Sequence, residues 1–226
     1  HMAGRTAAAD AASEDEPARV PAVAGSAGQR ARRRRIVVAA QELLEEREYD
    51  RIQMRDVADR AGVALGTLYR YFPSKEQLFA NVLLEWSTSF QQSVRRRRGS
   101  AATPAARLVA VLRSAARAFE RHPNFFRLIV VLEGAAVPEV TDPFQAYAAG
   151  FQRVLAEALD GVDAGDAAVI ATMSAALLSA ELRKWSHGTA SMRAVYEQLE
   201  RSVELVFGSP RDAGGAPGGV SGRPRS

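Results

Sequence analysis

The chain has 226 residues, 47% of them hydrophobic and 25% charged, with a formal net charge of +4. That apolar fraction suffices for a buried core in one domain or two small ones, and the lack of cysteine excludes disulfides, thiolate metal sites and cysteine nucleophiles. No uninterrupted apolar run reaches the roughly 18–20 residues of a membrane span, and no charged-then-apolar leader is visible, so a cytoplasmic protein without a membrane partner is expected.

Residues 3–28 are rich in Ala, Gly, Pro and acidic side chains and nearly devoid of large apolar ones. Such a stretch cannot bury enough surface to offset ordering entropy, so residues 1–28 are expected to be a disordered arm. A basic run follows, Arg30 and Arg32 to Arg35. The spacing predicts a first helix over 31–47, with Ile36, Ala39, Ala40, Leu43 and Leu44 on one face. Short helices are expected at 54–61 and 65–71, then a long one over 74–97 ending in a second basic run, Arg95 to Arg98. That second run fits a solvated helix end as well as a phosphate contact. A linker at 99–104 leads to helices at 104–121 and 124–133, a loop containing Pro138 and Pro143, and helices at 143–159, 164–186 and 191–207. Pro104 and Pro143 suit first-turn positions, where the missing N–H costs nothing. Gly161, Gly188 and Gly208 suit helix ends. The tail, 209–226, is rich in Gly, Pro, Arg and Ser and is expected to be disordered. Strand periodicity is nearly absent, so the expected class is all-α, with about nine helices.

The informative stretch is IQMRDVADRAGVALGTLYRYFPSKEQL, residues 52–78. Two short helices meet at a turn containing Gly62, where a positive φ is expected. Val57, Ala61, Val63, Leu68 and Phe72 supply a small shared core, and Ala58 is small where the next helix crosses. At 100° per residue, Leu65, Leu68 and Phe72 fall on one side of the third helix and Thr67, Arg70 and Tyr71 on the other. A short helix whose outer face bears a hydroxyl, a guanidinium and a phenol suits a DNA major groove.

The segment from about residue 32 to 78 resembles the DNA-binding domain of the TetR family of bacterial transcriptional regulators. The resemblance is carried by Val57-Ala58, Ala61-Gly62-Val63-Ala64, Gly66-Thr67-Leu68-Tyr69, Tyr71-Phe72 and Ser74-Lys75-Glu76. The family often has Ser where this chain has Ala64, and His where it has Tyr71. The resemblance implies a three-helix DNA-binding domain over 29–78 and a larger helical domain for ligand binding and dimerisation over 79–208. It also implies the DNA-facing residues. Gln53 caps the second helix and approaches the backbone, and Arg55 reaches a base edge or phosphate unless it pairs with Asp59. Leu65, Gly66 and Thr67 open the third helix against DNA. Tyr69 and Tyr71 touch phosphate or methyl groups, Arg70 reads a guanine, and Lys75 binds a phosphate. Within the family, the segment is most similar to actinobacterial repressors of sterol catabolism, whose ligands are steroid acyl-CoA intermediates.

Beyond residue 104 the aromatic residues Phe119, Phe125, Phe126, Phe144, Tyr147, Phe151 and Trp185 fit either an ordinary core or the wall of an apolar cavity. Phe119, Phe126, Phe144, Tyr147, Phe151 and Met173 are the candidate ligand-binding residues. Glu133, Asn124 and Arg127 are candidates for polar pocket contacts, or for caps and surface positions. The helix over 164–186 is apolar nearly all round, which requires burial on every side. The resemblance implies that it pairs with the last helix and their twins in a dimer. Ala171, Ala175 and Ser179 would permit close approach, and Leu178, Leu182, Val195, Leu199, Val203 and Val206 would extend the surface. His122 and His187 lie far apart beside turns, and no catalytic triad, metal-ligand spacing or phosphate loop is visible. An enzyme is therefore not expected, nor is a cofactor or a metal. The expected function is a ligand-responsive repressor that binds a palindromic operator as a homodimer. An activator, or a regulator needing a co-repressor, is the alternative. A binding or scaffold protein without DNA function would lack the outward Thr67, Arg70 and Lys75.

Overall fold

Residues 26–97, 103–134 and 138–208 are described in this computed structural model, and among them every regular element is helical. The nine helices are α1 (Ala27–Glu46), α2 (Met54–Ala61), α3 (Leu65–Tyr71), α4 (Lys75–Arg97), α5 (Pro104–Arg121), α6 (Pro123–Gly134), α7 (Pro138–Ala158), α8 (Ala164–Ser186) and α9 (Met192–Phe207). A single 3-10 turn, Tyr49–Arg51, joins α1 to α2. The body of the expected N-terminal arm, the C-terminal tail and the side chains of the second arginine run lie outside the described residues.

Capping residues set most helix starts. Thr103 accepts from Ala106 N–H, Asp163 from Gly165 and Asp166, and Ser191 from Ala194, each satisfying donors the helix leaves open. Two starts differ from expectation by more than one residue. α1 begins at Ala27 because Ser26 and Gln29 cap each other reciprocally, which carries the helix through the basic run. α7 begins at Pro138, so Pro143 lies inside a helix rather than in its first turn. Its ring removes one backbone bond near the start of α7, a loss the helix tolerates close to its end.

Met54, Val57, Ala58, Leu68 and Phe72 pack with Ile36, Val37, Ala40, Leu43 and Leu44 of α1 and with Leu78, Phe79 and Val82 of α4. α4 is therefore common to both parts of the molecule. Its first turns close the core under α2 and α3, and its later turns pack mainly on α7. α5 packs on α9, and α8 on α7 and α9.

By length and mean composition α8 is long and apolar enough to cross a membrane, although Thr172, Ser174, Ser179 and Glu181 interrupt it. In this fold Ala171, Ser174, Leu178, Glu181 and Leu182 face inward. Val169 and Met173 are each 58% exposed. Within the single chain the helix is thus buried on one side, and its other apolar side faces outward.

Candidate functional site

The turn between α2 and α3 follows from one glycine. Gly62 adopts φ 64° and ψ 42°, and the N–H of Val63 returns to Ala58 O at 3.0 Å. A left-handed residue here lets the chain reverse within two residues. Ala58 is buried under the crossing. At the start of α2, the Asp56 carboxylate accepts from the N–H of Gln53 at 2.9 Å. Arg60 holds α2 to α1 by two bonds to Glu46, at 2.9 and 3.0 Å.

This packing leaves one face outward. Gln53, Arg55, Gly66, Tyr69 and Arg70 are exposed, and Leu65, Thr67, Tyr71 and Lys75 are half-buried. Among the described residues Arg55 and Arg70 have no ion-pair partner, so the Arg55–Asp59 pair does not form. Ala64 offers no side-chain cap to α3. Lys75 is placed differently from a free surface lysine. Its Nζ donates to Tyr49 O at 2.6 Å and lies 4.0 Å from the centroid of the Tyr49 ring. Burial pulls its ammonium below the usual lysine range, against the opposing pull of Asp50 and Glu76. Arg33, from the first basic run, is also turned inward. It bonds Asn81 Oδ1 at 2.6 Å and stacks over Phe72. Arg32, Arg34 and Arg35 stay exposed.

The larger part of the molecule holds an apolar cavity of about 170 Å³. Phe119, Phe126, Phe144, Tyr147 and Phe151 line it, together with Trp86 and Phe90 of α4, Ile129 of α6 and Leu178 of α8. Met173 does not line it, because that side chain leaves α8 on the opposite face. Phe125 is buried elsewhere, stacked on Trp86 with centroids 4.5 Å apart. Of the three polar candidates, Glu133 lines the cavity and pairs with Arg183. Asn124 and Arg127 instead reach the N-terminal helices, donating to Leu44 O at 2.9 Å and to Glu48 at 2.7 Å. The sequence reading did not single out Gln91 and Ser87. Their spacing of four from each other on α4, beside Trp86 and Phe90, is the signal that could have placed them on the cavity face.

The expected dimer face needs a matching correction. Leu178, Leu182, Val195, Leu199 and Val203 are core residues of the single chain. Ala171 is buried, and Ala175 and Ser179 line the cavity. The apolar side chains left outward are Val169 and Met173 on α8 and Leu205 and Val206 on α9.

A helix-turn-helix unit carried on a larger helical body is the architecture of a DNA-binding transcriptional regulator. The pattern of the bacterial regulatory proteins of the tetR family matches residues 36–82. The HTH-type transcriptional repressor KstR of Mycobacterium tuberculosis is 33% identical over 193 residues, 84% of this chain and 86% of that protein. A TetR transcriptional regulator from Rhodococcus sp. RHA1 superposes with a TM-score of 0.69 at 30% identity, covering 81% of this chain and 99% of that one. The fold also matches Thermus thermophilus FadR, a repressor solved with lauroyl-CoA, with a TM-score of 0.64 at 22% identity over 83% of this chain and 100% of that one. The chain belongs to the TetR family of bacterial transcriptional regulators. It is a regulator, not an enzyme.

Proposed function

We propose that this protein is a repressor that binds a palindromic operator as a homodimer and leaves it when an apolar effector enters the cavity. Residues 29–78 read DNA, and residues 79–208 sense the effector and form the dimer. Gln53 and Arg55 at the start of α2, and Leu65, Gly66 and Thr67 at the start of α3, approach the duplex. Tyr69 and Tyr71 touch backbone or methyl groups, and Arg70 reads a base edge. Lys75 has N–H groups beyond the one held by Tyr49 O, and these serve a phosphate.

The observation that supports sensing is the shared helix. α4 starts at Lys75 under α3, and its later residues Trp86, Ser87, Phe90 and Gln91 are a wall of the cavity. A body pressed between α4 and α7 must move α4, and with it the recognition helix. The cavity is smaller than the roughly 300–1,000 Å³ of an ordinary ligand site, so a fatty-acyl or steroid-sized effector fits only by displacing walls. That gives the effector unequal affinity for two states, which is what a switch requires. KstR is a repressor by name, FadR is solved with an acyl-CoA, and the α2–α3 segment resembles sterol-catabolism repressors. Acyl-CoA and steroid-like compounds are therefore the effectors to test first.

The test is selection of bound genomic fragments, followed by operator titration at several salt concentrations with lauroyl-CoA and a steroid acyl-CoA. Affinity should fall steeply with salt, and one effector class should release the DNA. Failure to select any fragment removes the operator reading, and operator binding indifferent to every apolar compound removes the sensing reading.

A further inference from the structure

We propose that Gln91 reads the effector: its side-chain amide bonds a neutral oxygen, carbonyl or hydroxyl, on the apolar part of the effector that is buried at the seam of α4 and α7. The proposal rests on the cavity being the effector site.

Gln91 is 8% exposed and lines the cavity. Buried polar side chains are nearly always hydrogen-bonded. Ser87, one turn earlier on the same face, follows that rule by donating to Leu84 O at 2.8 Å. Gln91 makes no such bond: among the described residues its amide has no hydrogen-bond partner, and its polar atoms keep accessible surface rather than being sealed in the core. Both of its functions, an N–H donor and a C=O acceptor, are left for something that enters the cavity.

The facing helix makes room for this amide. A Cβ at Gly150 would lie 2.5 Å from Gln91 Nε2 and 2.7 Å from Oε1. The amide thus rests over the α7 backbone where a side chain would displace it. Tyr147 and Phe151 stand three residues before and one after Gly150, on the same helical face, and both line the cavity. The amide therefore borders the space between two aromatic side chains.

The rest of the lining determines the charge of the buried part of the ligand. Glu133 is the charged residue among the described lining residues, and Arg183 already pairs with it. Among the described residues no lysine or arginine lines the cavity to neutralise a carboxylate or phosphate. A neutral oxygen is the group that satisfies Gln91 without burying an unpaired charge.

The test uses cyclooctane and cyclooctanone, which differ by one oxygen, with the full-length protein. Trp86 lines the cavity and reports occupancy by fluorescence; replacing the second tryptophan (Trp185→Phe) leaves Trp86 the remaining one. Melting temperature gives an independent readout. The ketone should bind about tenfold more tightly than the hydrocarbon, the net yield of one buried hydrogen bond after exchange with water. Gln91→Leu keeps the volume and should abolish or reverse that preference while still binding cyclooctane. Gly150→Ala provides a second arm. Its methyl group displaces only the flexible end of Gln91, and alanine favours a helix, so the variant should fold and lose most of the preference. A ketone preference that persists in either variant overturns the proposal and leaves the cavity as the effector site, as does equal binding of both probes by the unaltered residue pair. If neither probe binds any of the proteins, the sensing reading falls and the role of Gln91 falls with it.

Discussion

Arg70, near the end of α3, and Lys75, the first residue of α4, lie five residues apart in the chain, yet the structure gives them different work. The Lys75 ammonium is tied to Tyr49 O and to the Tyr49 ring, so it fastens the turn before α2 to α4. Lys75→Ala should cost stability of about 1 kcal/mol, since part of the charge-assisted bond is open to solvent. It should also weaken binding to all DNA sequences about equally. Arg70 is exposed and without a partner among the described residues. Arg70→Ala should leave the denaturation midpoint unchanged and relax specificity at one base per half-site, at about 1–3 kcal/mol. Denaturant curves and site selection on both variants separate the two roles, and a stability loss with Arg70→Ala would contradict them. Tyr49 adds a pH dependence to the same turn. Its hydroxyl donates to Glu76 at 3.1 Å, and burial, then the Glu76 charge, pushes the phenol above its ordinary value of 10.0. The native state therefore holds the proton more tightly than the unfolded chain does. That stability is fully present below the unfolded value and is lost as pH climbs from there toward the higher folded value. The stability gap between the natural protein and Tyr49→Phe should be about 1 kcal/mol at neutral pH and should shrink above pH 10; urea midpoints across that range measure it.

At the scale of elements, α2, α3, α5 and α8 were legible to the residue because their ends carry local signals. Gly62 ends α2, Thr103 and Pro104 begin α5, and Asp163 begins α8. Pro143 misled because a proline is tolerated near a helix start wherever that start falls, and Pro138 supplied an earlier one. The cavity aromatics on α5, α6 and α7 were also legible, since large side chains among alanines must meet somewhere. Periodicity could not tell which apolar face of α8 turns inward, so Met173 was placed in the cavity. Nor could it show α6 as a bridge. One side of α6 presents Phe126, Ile129 and Glu133 to the cavity, while Asn124 bonds Leu44 O in the last turn of α1 and Arg127 bonds Glu48 just beyond it. Effector-driven displacement of α6 would therefore pull on α1 directly, beside any motion of α4. In the double variant Asn124→Ala with Arg127→Ala, the drop in operator affinity caused by lauroyl-CoA or a steroid acyl-CoA should shrink by about 0.5–2 kcal/mol. Operator titrations with and without the effector measure this, and an unchanged drop assigns the coupling to α4 alone.

For the whole molecule, the exposed apolar side chains of α8 and α9 bear on assembly. Val169 and Met173 are spaced four apart on α8, with Ala176 and Ala180 continuing the exposed line. The short connection between α8 and α9 folds the two helices back on each other, which brings the end of α9 toward the start of α8. Leu205, 70% exposed, and Val206 lie at that end of α9. A contiguous apolar patch in water marks an interaction surface, and a twofold axis through it would bury the patch against its own copy. Two recognition helices would then be held in one particle, as a palindromic site with half-sites about 34–36 Å apart demands. Met173→Glu tests this without disturbing the core, because that side chain is already outside. The variant should keep its melting temperature to within the small loss due to dissociation, sediment as a monomer at micromolar concentration and lose the operator. Leu199→Glu could not make the distinction: Leu199 is 1% exposed, so a carboxylate there would unfold the chain whether or not it dimerises. A Met173→Glu protein that remains a dimer, or an unaltered protein that sediments as a monomer, would move the twofold axis off this face or remove it.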